Sequence, residues 1–184
     1  MYYVMTCESM YPARPIRKSP FFMRGPWFSG QPITYPVPQP LAYELDPDYE
    51  GELKPFYREA APIMRRDLLD ALAAAGIDNL QLFDAVVTDP KTGQTYTDYK
   101  AVNVIGAVSA ADMAQSKRMG TGDSTMVDVD FDQLVIDEAR PRGTLLFRLA
   151  ESVGAIVVHD RVKSVIEARG IPGMTFYESG EWSG

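Results

Sequence analysis

The chain has 184 residues, 46% of them hydrophobic and 23% charged, with a formal net charge of −7. That size and composition suit one soluble globular domain with a sizeable core, and no apolar run of about 18 residues is present to cross a membrane as a helix. Cys7 is the only cysteine and His159 the only histidine, which excludes an internal disulfide and any site needing two imidazoles.

Eleven of the fourteen prolines fall before residue 63, and twelve of the twenty aromatic residues lie within residues 1–57. Proline removes a donor from helices and sheet ladders, so regular structure should be sparse there. The aromatic side chains Tyr2, Tyr3, Phe21, Phe22, Trp27 and Phe28 are costly to leave in water. The pattern predicts an extended arm over residues 1–61, pinned by aromatic anchors to a body of residues 62–184, with Tyr2–Thr6 as a candidate strand.

The stretch "APIMRRDLLDALAAAGI" predicts a helix. Pro62 suits its first turn, Met64, Leu68, Ala71, Leu72 and Ala75 form one stripe, and Gly76 suits its stop. "LQLFDAVVTDPKTGQTYTDYKAVNVIG" reads as strand, turn and strand around "DPKTG". Residues 109–124 read as a loop. "TMVDVDFDQLVIDEA", residues 125–139, alternates Val127, Val129 and Phe131 with Asp128, Asp130 and Asp132. A strand there would be apolar on one face and carry a row of carboxylates on the other. "TLLFRL" and "AIVVHD" are short apolar runs. "DRVKSVIEARGIPG" predicts a second helix, capped by Asp160 and stopped by Gly170, and "MTFYE" a last strand. Together these predict an α+β fold with a largely antiparallel sheet and two main helices.

Charge is unevenly placed. Residues 1–40 hold four basic residues against one acidic, and residues 41–184 hold 14 against 24, so balances of +3 and −10 make up the net −7. Such an acidic body repels nucleic acid and membrane surfaces and favours encounter with basic proteins. The first residues, "MYYVMTCESMYPARP", lack the positive and then apolar pattern of a secretory signal, which with a lone cysteine points to the cytoplasm.

Four readings of the acidic row compete: a metal site, a catalytic pair, a solvated strand face, and a docking surface. Asp128, Asp130 and Asp132 begin like a calcium loop, but Gln133 and Ala139 stand where such a loop needs glycine and glutamate. A catalytic pair needs one desolvated carboxyl, which a polar strand face rarely supplies. No nucleophile elbow, phosphate loop or dinucleotide fingerprint occurs, so no cofactor is expected. His159 and Cys7 read as structural. Arg148, inside "LLFRLAES", should need a carboxylate partner such as Glu151. A solvated edge strand, whose charges discourage aggregation, and a docking surface explain the row equally well on the residues alone. Residues 119–139 contain six acidic residues and no basic one: Asp123, Asp128, Asp130, Asp132, Asp137 and Glu138. These are the candidate partner-binding residues; no catalytic or metal-ligating residue is assigned.

Two stretches carry a family resemblance. "NLQLFDAVVTDPKTGQTYTDYKAVNVIGAVSAAD" and "FRLAESVGAIVVHDRVKSVIEARGIPGMTF" resemble the conserved blocks of a bacterial immunity-protein family of polymorphic-toxin systems, linked to myxobacterial kin discrimination. The resemblance runs from about Pro62 to Tyr177. It implies a non-enzymatic protein that neutralises a cognate toxin, a nuclease in a similar myxococcal case, by direct binding. A small carboxylate-dependent enzyme and a binding module unrelated to toxins are the alternatives. Nuclease active sites are basic because they hold phosphates, so the implied partner is a basic toxin protein, with no direct nucleic-acid or membrane contact.

Overall fold

The computed structural model describes residues 1–8, 12–21, 26–119 and 129–184. In chain order the strands are β1 (Tyr2–Thr6), β2 (Ile16–Lys18), β3 (Leu41–Leu45), β4 (Phe56–Tyr57) and β5 (Ile63–Arg65). Helix α1 (Arg66–Ala74) follows, then β6 (Leu80–Thr88), β7 (Thr95–Tyr96), β8 (Tyr99–Val104), β9 (Ala107–Val108), β10 (Lys117–Arg118) and β11 (Phe131–Gln133). The chain closes with β12 (Leu146–Leu149), β13 (Ile156–His159), α2 (Asp160–Ala168) and β14 (Thr175–Tyr177). The fold is α+β, dominated by strands.

One sheet runs β14-β1-β13-β12-β9, antiparallel except for the parallel β12–β9 pair. A second runs β2-β3-β6-β8-β5-β4 with β7 on β6, and β3–β6 is its parallel pair. This sheet curls into a nearly closed barrel. Its gap is narrowed by a bridge from Ala13 to Glu52 and by the Tyr57 hydroxyl, which donates to the Arg14 carbonyl at 2.9 Å. Trp27, Tyr43, Leu45, Ile63, Phe83 and Val87 fill the interior. Gly51 has φ +130°, and a Cβ there would lie 2.4 Å from the Pro12 carbonyl oxygen, so glycine permits this closure.

The two sheets face each other across a central layer. Tyr3 and Met5 of β1, Val102 and Val104 of β8, and Leu146 and Val158 meet Leu68 and Leu72 of α1 and Val162 and Ile166 of α2 there. The opposite face of the first sheet presents Tyr2, Val4, Phe147, Leu149 and Val157. It is covered by Phe131 of β11 and by Leu134, Ile136 and Trp182 from irregular segments. β1 is therefore buried on both faces, as a central strand between two apolar layers must be.

Several elements differ from the sequence reading. Residues 1–61 are not an arm laid on a finished body. They supply an interior strand of one sheet and three strands of the barrel, because extended segments with unpaired edges are satisfied best by ladder hydrogen bonds. Of the expected aromatic anchors, Tyr2, Tyr3 and Trp27 are buried and Phe28 is half-buried. Phe21, at 81% exposed, is not an anchor, and Phe22 lies outside the described residues. The expected helix beginning at Pro62 starts later, since Ile63–Arg65 pair with β4 and β8. Ile63 enters the barrel interior and Met64 the central layer; burying both sides favours a strand over a helical stripe. α2 is capped by His159 rather than Asp160: its Nδ1 accepts the Arg161 N–H at 3.2 Å. The acidic strand is short, Phe131–Gln133, and residues 120–128, including "GTGDS", lie outside the described residues.

Candidate functional site: an acidic surface on the outer layer

The acidic segment is held by its apolar positions. Phe131 is fully buried among the residues that cover the first sheet, with Val129 half-buried beside it. Its backbone is tied on both sides. The Phe131 N–H donates to the Gly184 carbonyl at 2.9 Å and the Gly184 N–H returns to the Phe131 carbonyl at 3.0 Å. The Val129 N–H donates to the Glu151 carbonyl at 2.6 Å, and the Met119 N–H to the Asp130 carbonyl at 2.9 Å. With Phe131 inward, the pleat turns Asp130 and Asp132 outward, and both are exposed.

The neighbouring strand is basic. β10 sets Lys117 opposite Gln133 and Arg118 opposite Phe131, and both side chains are exposed. Among the described residues neither Asp130 nor Asp132 is within ion-pair distance of a cation. Their carboxylates are thus acceptor-only groups facing water, able to take lysine or arginine from outside. Met119, 51% exposed, adds apolar surface beside Asp130.

The other candidates divide. Asp137 is occupied within the chain: it accepts the Ala139 N–H at 3.1 Å and pairs with Arg140 at 3.0 Å. Arg140 in turn donates to the Ala111 carbonyl at 3.2 Å, so this pair fastens a turn. Glu138 accepts the Tyr2 N–H at 2.9 Å and so ties the start of β1 to the outer layer. Burial raises the pKa of the Tyr2 phenol, and the Glu138 charge adds to the rise. Asp123 and Asp128 lie outside the described residues. The structure thus leaves Asp130 and Asp132 as the free pair of the described four.

A second acidic stretch, residues 43–52, is mostly spoken for. Glu44 pairs with Lys18 at 2.8 Å, Glu50 with Lys91 at 3.4 Å, and Asp46 accepts the Asp48 N–H at 3.0 Å. Among the described residues no three side chains of His, Cys, Asp and Glu converge as a metal site would require.

Arg148 departs from expectation. It is 1% exposed, yet among the described residues no carboxylate pairs with it. Its Nη1 donates to the Val153 carbonyl at 2.8 Å, and its guanidinium carbon lies 4.8 Å from the centre of the Phe28 ring. Glu151, the expected partner, instead takes the Ser109 hydroxyl. A single basic residue in an apolar run signals burial in the sequence; which group answers it is set by tertiary neighbours.

Compared with known proteins, the chain matches no protein-family model and no curated protein sequence. Among the described residues no helix is long and apolar enough to cross a membrane.

Proposed function

We propose that this protein is a cytoplasmic immunity protein that binds and neutralises a cognate bacterial toxin, a basic nuclease, through the surface centred on Asp130 and Asp132. The observation that carries the reading is the state of those two carboxylates. They are exposed, without an ion-pair partner among the described residues, and fixed by the buried Phe131 between them. Like charges on alternate strand positions repel, and a cationic partner reverses that cost. The resemblance of residues 79–112 and 147–176 to the polymorphic-toxin immunity family supports the same reading, and a neutralising protein needs no catalytic group. An acidic surface steers a phosphate-binding toxin inward, raising association rates by about 10–10³.

The test is co-expression with the product of a neighbouring toxin gene, followed by stopped-flow association across a salt series. The chain should protect the cell. Asp130→Asn with Asp132→Asn should slow association and flatten its salt dependence, because exposed rim charges act mainly through the on-rate. Killing in the presence of the intact chain would refute the immunity reading. Protection with equal salt slopes for both proteins would remove this surface from the interface.

A further inference from the structure

We propose that Arg148, together with Arg58, forms a binding site for a small oxyanion carrying carboxylate or phosphate oxygens. This inference is independent of the toxin-binding reading. β12 places Leu146 in the central layer and Phe147 and Leu149 on the opposite face, so alternation turns Arg148 toward the central layer between the sheets. There its guanidinium is oriented on two sides. Phe28 lies 4.8 Å from its central carbon, and Nη1 is taken by the Val153 carbonyl. The remaining edge, Nε and Nη2, is buried and has no hydrogen-bond partner among the described residues. That edge is the two-pronged fork that carboxylates and phosphates take with a pair of parallel hydrogen bonds.

The second cation is adjacent. A Cβ on Gly154 would lie 2.9 Å from Arg58 Nη2, so Arg58 rests against the backbone next to the carbonyl that holds Arg148. Arg58 is exposed. It lines a cavity of about 210 Å³ with Lys54, Cys7, Glu8 and Glu59. Burial, with the Arg58 charge acting in the same direction, lowers the pKa of Arg148 to about 10. Two cations side by side, one of them desolvated and with two donors idle, make an arrangement that a chain holds at a cost unless an anion completes it. Bidentate binding on Nε and Nη2, with Arg58 closing from outside, satisfies both donors and cancels the repulsion.

The experiment is thermal unfolding of the full chain at fixed ionic strength, exchanging chloride for inorganic phosphate in one arm and for acetate in the other. The melting temperature of the wild type should rise saturably in at least one arm, as ligand linkage requires. A response to phosphate alone or acetate alone identifies the geometry of the oxyanion. Arg148→Met should abolish the response and, without added oxyanion, melt at or above the wild-type temperature. Arg58→Ala, an exposed change that leaves the core intact, should weaken apparent affinity by about tenfold or more, the worth of one charge-assisted hydrogen bond. It decides the matter should Arg148→Met fail to fold. No saturable response in either arm, or equal responses in wild type and Arg58→Ala, would overturn the proposal.

Discussion

Phe131→Ala sets the strongest test of how the acidic surface is held. The ring is fully buried beside Leu134, Phe147, Leu149 and Trp182. Burial of such a side chain is worth about 1.5–3 kcal/mol in transfer alone, and the cavity left by truncation brings the loss to about 3–5 kcal/mol. For a chain of 184 residues each kcal/mol moves the melting temperature by roughly 2–4 °C, so a fall of roughly 6–20 °C is expected. The adjacent change, Asp130→Asn with Asp132→Asn, removes two exposed, unpaired carboxylates and should leave stability within about 0.5 kcal/mol of wild type, on the favourable side. Urea titration followed by circular dichroism measures both. An asparagine pair that costs more than the alanine, or a Phe131→Ala chain that melts with the wild type, would refute this arrangement. Either result would mean that the pleat does not turn phenylalanine inward and aspartate outward.

Two further outcomes follow from the frame around that surface. Arg14 and Asp89 form a buried bidentate pair, at 2.8 and 3.0 Å, with the Lys91 N–H and the Thr92 hydroxyl also on Asp89 at 2.9 Å. The Arg14 guanidinium holds the Asp89 carboxyl well below the usual carboxylate range. A depressed folded pKa gives stability that is present above the unfolded value, about 3.9, and is lost as pH falls through the folded value. Asp89→Asn should therefore lower the melting temperature by several degrees at pH 7, with the gap to wild type closing below about pH 4; a gap that persists unchanged into acid would refute the assignment. Removing residues 1–8 should abolish the cooperative unfolding transition rather than trim it, because β1 is the strand between β13 and β14. A truncated chain that still melts sharply would show that the first sheet closes without it.

Local patterns settled what is local. The period-2 runs of "LQLFDAVV" and "YKAVNV" became β6 and β8, turned by "DPKTG", because their β-branched and aromatic side chains fit a pleated surface and Asp89 supplies the turn's acceptor. The apolar positions of "DRVKSVIEA" specified α2, with Val162 and Ile166 inward. Alternation also placed Phe131 inside and Asp130 and Asp132 outside. Tertiary structure decided whatever depended on distant partners. Tyr2–Thr6 gained its central place from β13 and β14, more than 150 residues away. Ile63–Arg65 left the helix because β4 and β8 offered ladder bonds on both sides. Glu138 fell out of the free acidic surface because the Tyr2 backbone reached it first, whereas Asp137 was taken locally by Arg140, three residues on. Arg148 was left without a carboxylate because Val153 and Phe28 took its place. Periodicity encodes which face a residue presents, since that follows from backbone geometry alone. The group that meets the face is fixed only when the chain closes its long-range pairs.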